Sequence, residues 1–404
     1  MDKCIIKKIV FITETSFYER DYKRFGIDVL RSNGFEVEVW NCTPFLYPGV
    51  VEDVKGADIV YYEHYFEFQK MQDALEKIYK LTQDVLVVCL IQYRVNSYSL
   101  FRAISKKQIM YCVISSVLPF SIKKNGSIME AILNILRKTR DIEALKQSLF
   151  CRVPHKILGI NPASFVLIGG AYRANDRRDM VGSQTELLFI HALDYDIYLE
   201  EIKNTVEIDN KMGVFIDEYV PFHPHYPMMK VPPFSTPEEY YPPIRRFFDH
   251  LEDANRTNIT IAAYPRSRYE DHPDYFGGRH VVKGKTMELI RRASFVIGHC
   301  STSINYAVLE KKPVIFITTD SLQRSLQGEW IRQMASFLGK GVINVDEMLE
   351  IDFKKEMTID EKAYRAYKNA FIKKDNTEEL PFWQIFSNRI KNLALTKRQY
   401  ENVN

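Results

Sequence analysis

Short, strongly apolar runs alternate with helix-patterned stretches along most of this chain, and they do so in two separate series. The first run, Lys8–Thr13 (KIVFIT), is short and continuous enough for a strand buried on both faces. A polar loop from Glu14 to Arg20 follows, and Asp21–Asn33 then reads as a helix. Gly34 stands where a helix C-cap is expected, and Phe35–Trp40 (FEVEVW) alternates as the next strand. Asp58–Tyr62 and Val85–Ile91 supply further strands, with a helical stretch at Phe68–Leu81 between them. Beyond a charged helical stretch at Ser127–Leu149, strand candidates recur at Phe165–Ile168 and Leu187–His191. Such alternation builds a parallel sheet with right-handed crossovers, and ligands gather beyond the carboxyl ends of its strands.

A polar helical piece at Tyr198–Asn210 leads into the second series, which opens with Gly213–Asp217 (GVFID). Pro221–Pro243 is dense in proline and histidine and reads as an irregular loop before a helix at Tyr240–Ala254. Strands are expected at Ile259–Ala263, Phe295–Gly298 and Pro313–Thr318, with helices at Thr286–Ala293 and Ser303–Glu310. The chain is therefore α/β, and its 404 residues suit two domains of roughly 150–200 residues each. The rhythm places an N-terminal β/α domain at 1–210, a second at 211–345 and a helical segment at 346–404, in which Phe382–Leu393 is amphipathic enough to pack as a closing helix.

Net charge is +3 and the basic residues are spread along the chain, which argues against a dedicated nucleic-acid binder. The six cysteines show no CxxC spacing, so neither structural zinc nor a disulfide framework is expected, and a reducing compartment is. Met1–Lys8 is too polar for a signal peptide, and the longest apolar stretch, Val85–Ile91, is far short of the about 20 residues of a membrane span. The expected location is cytoplasmic. Pro243–Phe248 (PIRRFF) reads either as a solvated helix face or as a peripheral contact with the inner membrane. The 24 Tyr and 25 Phe suit stacking surfaces for sugars or bases, and compositional bias gives the same excess.

The most informative stretch runs from Ala293 to Thr319. A buried strand leads into Gly298 and His299, and the hydroxyl residues Ser301, Thr302 and Ser303 then open a helix. Unpaired backbone N–H groups and hydroxyl donors there suit an anion, although Ser and Thr are also ordinary N-caps. Nearby, the strand at Ile259–Ala263 delivers Tyr264, Arg266 and Arg268 to a carboxyl edge of the same sheet. Arginine binds phosphate bidentately and tyrosine covers a base or ribose, while pairing of Arg266 with Glu270 is the alternative. Lys283 and Lys285 read as exposed.

From a strand ending in Pro265-Arg266, through the Gly284–Ile290 helix (GKTMELI), to Ser301-Thr302-Ser303 and Lys312-Pro313, the chain resembles the donor half of bacterial GT-B glycosyltransferases. It is most similar to capsule and lipopolysaccharide enzymes of the polysialyltransferase and Kdo-transferase groups, and the resemblance covers about residues 210–345. These enzymes hold a CMP-linked donor with a His-Pro motif and a Ser/Thr motif. Ser301–Ser303 match the second, whereas Tyr264-Pro265 stands where the first would lie, without its histidine. The resemblance implies two Rossmann-like domains facing across a cleft. It also implies a nucleotide-sugar donor (CMP-Kdo or sialic-acid-like first, UDP-sugar second) as co-substrate with no further cofactor, and a glycan or lipid-linked saccharide acceptor. Nucleotide-sugar 2-epimerases share the architecture, but their phosphate helix usually opens on a glycine-rich turn where this one reads His-Cys-Ser-Thr-Ser. An epimerase or hydrolase therefore ranks below a transferase, as does a non-catalytic subunit of an assembly complex.

Transfer with inversion needs a general base, expected on the first domain facing the cleft. Asp194 and Asp196 follow a strand, and a spacing of two points both to one side if that strand continues. Glu14 follows the first strand, and Asp217-Glu218 follow the first strand of the second series. A carboxylate there also serves as a cap or an ion-pair partner. No metal is expected, although Asp194-Tyr195-Asp196 fits a DxD pattern formally. His64 and Gln92-Tyr93-Arg94 also follow strands, where packing competes with contact to an acceptor.

Overall fold

The computed structural model describes residues 6–15, 17–48, 62–115, 146–147, 149–172, 180–224, 226, 231–347 and 351–401, with side chains as far as 393. All but Tyr62 of the strand expected at Asp58–Tyr62, and most of the helix at Ser127–Leu149, lie outside them.

Seven strands form the first sheet: Lys8–Thr13 (β1), Glu36–Asn41 (β2), Tyr65–Glu67 (β3), Val85–Cys89 (β4), Met110–Ser115 (β5), Phe165–Ile168 (β6) and Glu186–Phe189 (β7). They lie in the order β3-β2-β1-β4-β5-β6-β7, every neighbour parallel. Six more form the second sheet: Met212–Ile216 (β8), Asn258–Ala263 (β9), Val281–Lys283 (β10), Phe295–Gly298 (β11), Val314–Thr318 (β12) and Val342–Asn344 (β13). Their order, β10-β9-β8-β11-β12-β13, repeats the winding of the first, again all parallel. The central strands are buried almost end to end, as continuous apolar runs covered on both faces must be. The winding reverses between β1 and β4 and again between β8 and β11, and an open parallel sheet has its ligand crevice at such a reversal.

The single helix expected at Asp21–Asn33 is two, Glu19–Arg24 and Ile27–Ser32. Gly26 breaks it in a left-handed conformation (φ +56°), and a Cβ there would collide with the Trp383 ring. Trp383 fills the break and its indole N–H donates to the carbonyl of Arg24 (2.8 Å). The helix expected from Tyr240 begins earlier, at Pro237, and runs to Asn255 with Thr236 as its cap. Pro237 suits a first helical position. Pro242 and Pro243 omit only the bonds to Glu238 and Glu239, whose exposed surroundings let water serve those carbonyls.

After the second sheet the chain returns to the first. Tyr172 N–H donates to Ala370 O (3.0 Å), Ala192 N–H to Ile372 O (2.6 Å), and His191 bridges Lys373 in antiparallel fashion. The helix Phe382–Glu401 then lies on the first domain. Phe382, Trp383, Phe386 and Ile390 share a core with Ile9, Phe11 and Leu30, and Arg389 forks onto Glu186 through two 2.6 Å bonds. Among the described residues no helix is long and apolar enough to cross a membrane.

Candidate functional site at the paired switch points

Each sheet carries an acidic side chain just beyond its first strand. In the first domain Glu14 Oε2 accepts from the Gln92 backbone N–H (3.2 Å) and from the Tyr47 hydroxyl (3.0 Å). The carboxylate thus spans the β1/β4 reversal. Burial, and then the charge of Glu14, push Tyr47 up to about 12, so the phenol stays a neutral donor. Arg94 lies beside this group, its Nε donating to Gln92 Oε1 (2.9 Å). His64 is exposed beside Glu63 (3.2 Å), at the opening of β3 rather than at the carboxyl edge.

In the second domain Asp217 and Glu218 follow β8 directly. Asp217 is buried and accepts from Tyr219 N–H (2.9 Å), Tyr264 N–H (3.3 Å) and the Tyr269 hydroxyl (2.9 Å). It therefore fixes the loop after β9 to the loop after β8. Burial raises its carboxyl to about 6 against the pull of these donors. Glu218 reaches the other way. Its Oε1 accepts from Cys300 N–H (2.7 Å), two residues beyond β11, and its Oε2 from Gln327 Nε2 (3.1 Å). Burial lifts it to about 7, opposed by the Cys300 bond and assisted by the neighbouring Asp217 charge.

The residues expected to hold a donor nucleotide divide on this edge. Arg266 lies over Tyr264, with its guanidinium 5.8 Å from the ring centroid and its Nη2 donating to the hydroxyl (3.0 Å). Tyr219 stacks parallel to Tyr264 at 6.4 Å, and its hydroxyl faces the Arg268 backbone and charge. Glu270, the alternative partner for Arg266, pairs with Lys283 (2.8 Å). Ser301, Thr302 and Ser303 are part-exposed, and Ser303 opens the Ile304–Leu309 helix without a side-chain cap bond.

Two expectations need correction. His299 has no exposed surface. Its Nδ1 faces Ile317 O (2.7 Å), so it carries the proton there, and Nε2 accepts from the Tyr240 hydroxyl (2.8 Å). Burial depresses the ring to about 4, so it is a neutral support under the edge rather than a ligand-facing group. Asp194 and Asp196 do not share one side of a strand, because β7 ends at Phe189 and both open the Tyr195–Glu201 helix. That short helix also replaces the longer one expected at Tyr198–Asn210. Asp196 accepts from Phe382 N–H (2.8 Å) and lies 3.5 Å from His191 Nε2, so it ties down the closing helix. Burial raises its carboxyl above the ordinary range. Asp194 remains at the junction, where its charge and those of Arg20 and Arg24 reach Tyr306 of the second domain.

Gln327, which completes the Glu218 cluster, carries no sequence signal, since it sits within an ordinary helix at Leu326–Phe337. Among the described residues no group of three His, Cys, Asp or Glu side chains is placed to hold a metal ion.

Two Rossmann-like domains wound in the same order, with a C-terminal helical segment returning to the first, define the GT-B architecture. Neither a protein-family model nor a curated protein matches the sequence. Among solved structures the chain is similar to the UDP-GlcNAc 2-epimerase of Methanocaldococcus jannaschii, with 10% identity, 96% of this chain and 99% of that one covered, and a TM-score of 0.47. S. aureus MnaA, solved with UDP, gives 13% identity, 98% coverage of both chains and a TM-score of 0.49. The calicheamicin glycosyltransferase CalG4 gives 11%, 98% and 97%, and 0.46. At these values the likenesses assign no activity to this chain.

Proposed function

We propose that the chain is a glycosyltransferase that uses a nucleotide-activated sugar, with the nucleotide on the second domain and the acceptor on the first. The observation that carries this reading is the group at the carboxyl edge of the second sheet. Arg266 lies over Tyr264 and Tyr219 stacks on Tyr264 beyond β9 and β8, and the part-exposed Ser301–Ser303 follow β11 on the same carboxyl edge. A planar guanidinium and hydroxyl donors suit a departing phosphate, and the stacked tyrosines suit a base or ribose. Glu14, at the matching crevice of the first domain, is the general base we assign for the acceptor hydroxyl, ahead of Asp194. Asp196 is a tie for the closing helix in this account. The donor is a CMP-linked Kdo or sialic-acid-like sugar, with a UDP-sugar second. The acceptor is a surface glycan or lipid-linked saccharide made for a bacterial capsule or lipopolysaccharide. The protein acts in the cytoplasm or at the inner face of the membrane, without a metal.

Glu218 favours a second reading, in which the same crevice epimerises or hydrolyses the sugar nucleotide. A carboxyl poised near neutrality is suited to moving a proton. Donor consumption measured with and without a saccharide acceptor separates the two. Acceptor-dependent turnover supports transfer, and equal turnover without acceptor supports epimerisation or hydrolysis. No product from any donor leaves a non-catalytic subunit.

A further inference from the structure

Val95, Leu149 and Ile157 are aliphatic side chains left 47%, 54% and 76% exposed, on two stretches of the first domain that pack together. In the loop after β4, Val95 N–H donates to Gln147 Oε1 (3.0 Å). Phe150 lies against Tyr93 and Tyr98, with ring centroids 5.0 and 5.7 Å away. The Tyr98–Lys106 helix gives the Tyr98 hydroxyl to Leu158 O (3.0 Å) and sets Arg102 beside Gly159. Neither 85–115 nor 146–172 contains an Asp or Glu, in a chain that has 52 of them. Bases take their place around the aliphatic groups: Arg94 and Arg102 in the first stretch, Lys146, Arg152 and Lys156 in the second. Arg102, Arg152 and Lys156 are exposed and make no ion pair among the described residues. Exposed aliphatic groups offer nothing to a nucleic-acid phosphate, whereas the boundary of a bilayer takes them up and its anionic headgroups attract the bases. The basic-aromatic stretch at 243–248 is not such a surface. Its Ile244, Phe247 and Phe248 are buried, and Arg245 Nη1 donates to Asp274 O (2.9 Å).

We propose that this face of the first domain docks on an anionic lipid surface, with Val95, Leu149 and Ile157 entering the headgroup region and the surrounding bases on its phosphates. The face adjoins the first-domain crevice, since Arg94 Nε donates to Gln92 Oε1 (2.9 Å) and Gln92 N–H to Glu14 Oε2 (3.2 Å). A saccharide carried on a lipid of that surface is thereby presented on the side of Glu14. That last step rests on the reading of the chain as a transferase; the docking itself does not.

Sedimentation of the whole protein with vesicles, in the absence of donor and acceptor, tests the docking apart from the reaction. Phosphatidylcholine vesicles containing phosphatidylglycerol should carry the chain down, and pure phosphatidylcholine should not. Each base near an anionic leaflet counts for about fivefold in affinity, so Arg152→Gln with Lys156→Gln should weaken binding by roughly 25-fold. Ile157→Ser, at an exposed position, should weaken it by up to about tenfold and leave the fold intact. Arg245→Gln with Arg246→Gln removes the same charge elsewhere and should bind as the wild type does. No binding to the phosphatidylglycerol vesicles overturns the proposal. An equal loss in the Arg245 and Arg246 control also overturns it, because net charge alone would then govern adsorption. Two other occupants are read with the same variants. Binding of poly(U) that Arg152→Gln with Lys156→Gln abolishes, with vesicles ignored, would assign the face to nucleic acid and overturn the proposal. Self-association that Ile157→Ser abolishes, again with vesicles ignored, would assign it to a second copy with the same consequence. Vesicle binding without turnover of any nucleotide sugar would sink the transferase reading and leave the docking in place.

Discussion

Glu14 and Gln92 stand on opposite sides of the point where the first sheet reverses its winding, and a 3.2 Å bond from the Gln92 N–H to Glu14 Oε2 joins them across it. Glu218 and Cys300 repeat the device in the second sheet at 2.7 Å. The two edges are thus built alike, with a carboxylate fixed by a backbone donor from the loop that follows the strand beyond the reversal. The surroundings set them apart: Glu14 takes a phenol as second donor, while Glu218 takes an amide and is lifted toward neutrality by burial.

Replacing Glu14 by Gln keeps its shape and removes its basicity. Loss of a positioned general base lowers turnover by about 10²–10⁴-fold. Nucleotide affinity should stay within about threefold, because Glu14 belongs to the other domain. Single-turnover rates and calorimetric titration of the donor check the two halves of this expectation. Unchanged turnover in Glu14→Gln moves the base elsewhere, with Asp194 next to test.

Arg266→Ala removes the guanidinium beside Tyr264. A hydrogen bond to a charged group contributes about 1.5–3 kcal/mol, so nucleotide affinity should fall by roughly 10- to 150-fold. Ser303→Ala removes a neutral donor and should cost about 0.5–1.5 kcal/mol. Fluorescence or calorimetric titration of both variants decides the ranking, and a larger loss in Ser303→Ala would reverse the roles assigned here.

Stability should depend on pH through buried groups acting in two opposed senses, with Asp217, at about 6, on the same side as Glu218. The folded value of Glu218, about 7, lies above that of an ordinary glutamate, so the native state holds more protons across that window. Its contribution is therefore present at low pH and lost as pH rises to about 7. His299 acts in the other sense: at about 4 when folded, its contribution is lost as pH falls from the ordinary histidine range. Denaturant unfolding of Glu218→Gln should show a shallower decline toward neutral pH than the wild type. Parallel curves would deny that Glu218 titrates in that window.

Trp383 and Gly26 should couple. Trp383→Ala empties a buried site and should cost about 3–5 kcal/mol. Gly26→Ala meets both a left-handed backbone and the indole, so it destabilises as well. The double variant should be less destabilised than the sum, because removal of the indole removes the clash. Additive losses would mean that Gly26 is constrained by its backbone alone.

Most strands of both sheets were legible because parallel strands buried on two faces read as continuous apolar runs, as in KIVFIT and PVIFIT, whereas Tyr65–Glu67, Met110–Ser115, Val281–Lys283 and Val342–Asn344 were not read as strands. The carboxyl-edge positions of Tyr264, Arg266 and Ser301–Ser303 were legible for a related reason, since each follows such a run. The misreading of Asp194 and Asp196 arose from an apolar run that outlasts its ladder, since Ile190 and His191 are buried beyond the end of β7. His299 misled in the opposite way, because it follows β11 yet is still enclosed beneath Tyr240. The Glu218–Cys300 bond spans 82 residues and depends on β8 lying next to β11, which strand order alone decides.

Thermal stability of the whole protein against CMP-, UDP-, GDP- and ADP-linked sugars and their parent nucleotides tests the central claim most directly. A ligand at 100 times its dissociation constant adds about 2.7 kcal/mol to the state that binds it, which is readily seen as a shift in melting. The account predicts a shift selective for one nucleotide, CMP first and UDP second, that is lost in Arg266→Ala. No shift from any nucleotide, or an equal shift in Arg266→Ala, would contradict it.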